Sequence, residues 1–130
     1  MLAAHGTELG LDVKTAMKMG SAFGGGMGLM GETCGAVTSA VLLISLKYGA
    51  NDREDREAKK RAYQLTGKFI EEFMTRNKSI RCCDLLGFNM KSDNVPEKEK
   101  IISKRCPEFI ATASEILEEI LRSEDDEIKK

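Results

Sequence analysis

The residues of this 130-residue chain best suited to chemistry are four thiols: Cys34, the adjacent pair Cys82 and Cys83, and Cys106. Cys34 closes a glycine-rich run, Gly24-Gly25-Gly26-Met27-Gly28-Leu29-Met30-Gly31-Glu32-Thr33, and opens a long apolar segment. Cys82 and Cys83 fall between two helix-like stretches, and Cys106 is followed at once by Pro107. A structural cysteine is usually a small apolar residue in the middle of a buried face. Thiols at helix starts instead meet unpaired amides and the positive end of the helix dipole, which favour thiolate. Thiol redox chemistry and soft-metal binding are the two chemistries this placement suggests, and it does not choose between them.

The individual thiols differ. Cys34 is expected in the first turn of a central helix, where the dipole lowers its pKa unless burial raises it. Proline favours the first helical position, so Pro107 predicts Cys106 at an N-cap. Cys83 reads as a packing residue or spare thiol, because a vicinal disulfide needs a strained intervening peptide. No Cys-x-x-Cys pair occurs, so only the fold can gather the thiols. Gathered, Cys34, Cys82 and Cys106, with a fourth ligand from Cys83, water or elsewhere, would suit zinc or an iron–sulfur cluster. His5, the single histidine, reads as solvated or packing rather than as that ligand.

The glycine run also contains a literal G-x-G-x-x-G at Gly26, Gly28 and Gly31. A dinucleotide site needs a strand before it, and the preceding residues read as helix. The glycines are better explained by left-handed turns and close packing, or by a loop that admits a partner to Cys34 with Met27 and Met30 as adaptable contacts.

The elements that must position the thiols are helical. Met1 to Leu9 forms a short helix stopped by Gly10, and Asp12 caps a second running to about Phe23. A third, from near Thr33 to Tyr48, is apolar around nearly its whole circumference, as a central helix should be. Asp52 caps a fourth, in which Ala58, Ala62, Leu65, Phe69, Ile70 and Phe73 recur at helical spacing. A short turn from Cys82 to Leu86 is stopped by Gly87, and 91–96 is a polar loop. A last helix aligns Phe109, Ile110, Ala113, Ile116, Leu117, Ile120 and Leu121. Its charged tail, 123–130, is expected to fray. No stretch alternates with a strand's period of two. The expectation is one all-α domain over 1–130, a compact bundle of about five helices with a glycine-rich loop before the central one.

Composition narrows the function classes. Lys and Arg number 20 against 21 Asp and Glu, a net charge of −1. No global field advertises nucleic acid or an anionic membrane. The longest apolar stretch, Ala36 to Leu46, is too short to span a bilayer, and Met1 opens no signal-peptide pattern. A cytoplasmic protein is expected, with cysteines reduced or metal-bound at rest. No paired carboxylates and no Ser-His-Asp set rise above the solvated charge of the helix faces.

Three stretches, Gly24 to Gly28, Gly31-Glu32-Thr33-Cys34-Gly35-Ala36 and Leu46-Lys47-Tyr48-Gly49, are similar to a family named for its C-GCAxxG-C-C cysteine pattern. The similarity continues through Cys82 with Leu85-Leu86-Gly87, and through Cys106. Members are small, helical and mainly prokaryotic, and are called redox-active on the strength of their cysteines. The resemblance implies that Cys34 is the cysteine of the C-G-A-x-x-G motif, Cys82 the third family cysteine and Cys106 the last. Ser39 stands where the motif ends in glycine, and no counterpart of the first family cysteine precedes the first helix.

The reading is a thiol-based redox or electron-exchange protein. Cys34 is its attacking thiol and Cys82 or Cys106 its resolving partner, gathered at one end of the bundle and served by a redox partner the sequence does not identify. A metal- or iron–sulfur-binding protein without turnover is the alternative, and an adaptor bundle with packing cysteines a third. The apolar third helix leaves room for a homodimer interface.

Overall fold

The computed structural model describes residues 1–128, and its described residues form helices and turns with no named strand. In chain order these are α1 (Leu2–Gly6), a 3-10 turn (Thr7–Leu9), α2 (Val13–Gly20), α3 (Gly35–Tyr48), α4 (Arg56–Asn77), α5 (Cys82–Leu86) and α6 (Lys98–Ile128). The all-α expectation holds, with six α-helices in place of about five. None is long and apolar enough to cross a membrane.

Helices α3, α4 and α6 pack on one another in all three pairings and enclose the core. Val37, Ala40, Leu43 and Ile44 of α3 meet Leu65, Phe69 and Phe73 of α4 and Phe109, Ala113, Ile116 and Leu117 of α6. Every one of these is at most 5% exposed, so this layer carries most of the hydrophobic stabilisation. Phe69 and Phe73, one turn apart, stack with ring centroids 6.0 Å apart. Helix α3 is thus central, although Leu46 near its end remains exposed. Helix α1 lies on α3, and His5 reaches Ser114 of α6 at 3.2 Å, so the histidine ties helices together and takes no part in a thiol cluster.

Four local expectations change. Helix α2 ends at Gly20 rather than near Phe23. The cap of α4 is Asp55, which accepts from the Ala58 amide, whereas Asp52 accepts from the amides of Glu54 and Asp55 in the preceding turn. The tail is helical through Ile128. Buried Glu124 pairs with Arg61 and Asp125 with Lys47 at 3.0 Å, so 123–128 is tied to α3 and α4 instead of frayed. Residues 129–130 lie outside the described part. The largest change is at Pro107, which sits inside α6 rather than at its start. Proline removes one helical amide and costs about 3 kcal/mol in a helix interior. Ile101 and Ile102, packed against the core upstream of it, hold the helix continuous across that defect.

Candidate functional site

The glycine run is an ordered left-handed turn. Gly25, Gly26, Met27, Gly28 and Leu29 all have positive φ, between 58° and 72°. Amides reach back across the turn: Gly28 donates to the Ala22 carbonyl at 2.8 Å, Gly31 to Gly25 at 3.0 Å and Glu32 to Gly26 at 2.8 Å. Left-handed backbone costs a residue with a Cβ about 1–2 kcal/mol, which accounts for the glycines. Met27 and Leu29 bear that cost with their side chains exposed. The element before the G-x-G-x-x-G is α2, so the dinucleotide context is absent among the described residues.

The turn delivers the chain to a short antiparallel contact, which explains how two distant cysteines meet. Thr33 bridges Arg81; the Cys34 amide donates to the Ile80 carbonyl at 2.7 Å and the Cys82 amide to the Glu32 carbonyl at 2.6 Å. In this register Cys34 lies opposite Ile80, and Cys82 is its diagonal neighbour on the same face. Diagonal neighbours stand ~7–8 Å apart, with side chains pointing the same way. Gly26 closes over this contact. A Cβ there would stand 2.5 Å from the Cys82 Cβ and 2.6 Å from the Glu32 amide nitrogen, so only glycine fits.

Cys106 arrives from the other side, on α6. With Ile110 one turn further on, it faces a cavity of about 250 Å³ that is also lined by Cys34, Cys82, Phe23 and Met90. Gly24, Gly25 and Gly26 form one wall, and Ser39 of α3 supplies its only side-chain hydroxyl. No charged side chain lines it. Larger hollows near Arg61 and Tyr48 contain no thiol. Cys106 was expected at an N-cap and instead sits mid-helix, so it reaches the cavity without any helix-start activation. Cys83 does not line the cavity; its Sγ lies 3.9 Å from Asp84 Oδ1.

All four cysteines are free thiols, Cys82 buried and the others half-buried. Burial pushes the Cys34 thiol above its ordinary pKa. The Ala36 and Val37 amides at the start of α3 pull it back without overcoming burial. Cys34 is the N-cap of α3, one position earlier than a first-turn residue, and desolvation outweighs the dipole there. Burial raises Cys82 further, to about 11, aided by negative charge on Cys34, Cys106 and Cys83. Cys106 is raised by burial and then by charge on Cys34. Charge on Cys34 thus acts on both of the other cavity thiols, second to burial in each case. Among the described residues, no group of three or more His, Cys, Asp or Glu is arranged to hold a metal ion.

Sequence reasoning missed the wall contributed by Phe23, Met90 and Ile110. Ile110 looked like one more core residue of the last helix, yet it is 41% exposed and one turn from Cys106, a spacing that was legible. Met90 carried no signal, since it lies in the turn after α5.

The family model described as "Putative redox-active protein (C_GCAxxG_C_C)" matches residues 1–120. No curated protein and no solved structure matches the chain.

Proposed function

The chain belongs to the C_GCAxxG_C_C family, and from that premise and the shared cavity we propose that it is a thiol-based redox protein working through a pair of cysteines. Cys34 is the attacking thiol. Its thiolate breaks the incoming bond, and the thiol of Cys82 or Cys106 then displaces the group left on Cys34, closing an intramolecular disulfide as two electrons pass to the incoming oxidant. The observation that carries this reading is that three cysteines distant in sequence line one small cavity. Cys83 stands outside the pair. In a reducing cytoplasm the resting form is the thiol form.

The experiment is anaerobic purification, then metal analysis, an absorbance spectrum and a free-thiol count before and after mild oxidation. The expected result is metal-free protein that loses two thiols on oxidation without forming intermolecular bonds. Cys34→Ser should abolish that loss and keep the helical content; Cys83→Ser should leave it unchanged. Stoichiometric zinc or iron would instead assign the cavity to binding, and Cys34 labelling only after unfolding would remove it as the nucleophile.

A further inference from the structure

We propose that the oxidant admitted to the cysteine cavity is a small uncharged organic hydroperoxide, with the Ser39 hydroxyl donating a hydrogen bond to its leaving oxygen. The proposal rests on the thiol-pair reading and adds the substrate class. Three features of the wall select that class. At about 250 Å³ the cavity is smaller than the ~300–1,000 Å³ of sites for drug-sized ligands, so its occupant is small. Phe23, Met90 and Ile110 give it apolar walls, and no side chain on the wall offers a counter-charge. A charged disulfide or a carboxylate would lose hydration there without a side-chain counter-charge in exchange.

Ser39 is the exception on an otherwise apolar wall. It is 9% exposed and lies on α3 little more than one turn beyond Cys34. A single hydroxyl in the same cavity as the attacking sulfur suits a substrate with one oxygen that gains charge as a bond breaks. In the first step the Cys34 thiolate attacks the terminal oxygen of the hydroperoxide and the O–O bond breaks. The alkoxide leaves under the Ser39 hydrogen bond and takes up the proton that Cys34 shed. This yields an alcohol and a sulfenic acid on Cys34. In the second step the thiol of Cys82 or Cys106 attacks that sulfur, the S–S bond forms and water departs. Two thiols are oxidised and one hydroperoxide is reduced to alcohol and water.

The test uses the reduced full chain in single-turnover thiol-loss measurements with tert-butyl hydroperoxide, hydrogen peroxide or oxidised glutathione. The expected result is two thiols lost per hydroperoxide, with a rate that saturates and exceeds the rates for the other two oxidants. Ser39→Ala should slow the hydroperoxide reaction about 2- to 10-fold, the worth of one hydrogen bond. It should leave Cys34 alkylation by iodoacetamide unchanged, because iodide leaves without needing a donor. Ile110→Lys, at a half-exposed wall position, should slow the hydroperoxide and favour oxidised glutathione. Faster oxidation by hydrogen peroxide or oxidised glutathione, or an unchanged rate in Ser39→Ala, would overturn the proposal while the thiol pair stands. If no oxidant closes an intramolecular disulfide, the thiol-pair reading fails first.

Discussion

The two ends of this bundle are built by opposite rules. Around Ile44, Leu65 and Leu117, apolar residues at helical spacing fill a closed layer, and the charged groups beyond it find partners, Arg61 with Glu124 and Lys47 with Asp125. Around Cys34, Cys82 and Cys106, local rules are broken repeatedly. Met27 and Leu29 take left-handed backbone, Pro107 interrupts a helix, and thiols are buried with raised pKa values. Local propensity and global fold agree at the first end and conflict at the second, and such conflicts gather at functional sites. The stable end offsets what the strained end costs.

The largest expected effect tests whether the ends are separable. Leu117→Ala removes a fully buried side chain and should cost about 2–5 kcal/mol, read as a lower urea midpoint. Cys34 alkylation of the folded variant should match that of the parent. A large change in the labelling rate would show that the core also tunes the thiol, and the comparison would break.

Gly26→Ala attacks the other end. A Cβ there meets the Cys82 Cβ and the Glu32 backbone while the backbone keeps a φ of 72°. Left-handed strain and overpacking together should cost about 2–4 kcal/mol. Unlike Leu117→Ala, this variant should also label faster at Cys82 in its folded state. Equal stability and equal labelling would mean that the turn is loose, and would remove the main contrast between the ends.

The pH dependence follows from Cys82. Its thiol ionises near 9.0 in the reference state and near 11 in the fold, so between those values the unfolded chain has lost a proton the folded chain retains. Unfolding is then favoured as pH rises, and the stability that burial of the neutral thiol supports is full below about 9 and lost progressively toward 11. Urea midpoints measured across that range should fall, and Cys82→Ser should flatten the slope. A midpoint that rises with pH would contradict the raised value. Arg61→Met, at the core end, should leave the slope as it is.

The smallest effect concerns the strained side chains. Met27→Gly relieves left-handed strain of about 1–2 kcal/mol and gives back about 0.5–1 in chain entropy, for a net gain of up to ~1 kcal/mol. Leu29→Gly should behave alike, with both read from urea midpoints. A loss of stability in either would mean that these exposed side chains pack in solution and that the turn is less strained than its φ angles imply.

Much of the core was legible in the chain. The periodicity of Leu65, Phe69 and Phe73 and of Phe109, Ala113, Ile116 and Leu117 marks faces that must be buried, whatever covers them. Gly87 after Leu86 stops α5 where expected, because a left-handed cap is a local requirement. Cys106 was misread for the same reason in reverse. Proline's preference for a helix start is a local bias, and the packing of Ile101 and Ile102 overrides it.

The sequence by itself determined that this is an all-helical chain with a thiol directly after a glycine turn, because periodicity, capping and chirality act within a few residues. Which thiols share a cavity was decided by tertiary structure alone. The register of Thr33 against Arg81 and the face of α6 that bears Cys106 and Ile110 depend on how distant segments pack. The same packing decided the balance at Cys34, where desolvation by neighbours remote in sequence outweighs the helix-start amides beside it.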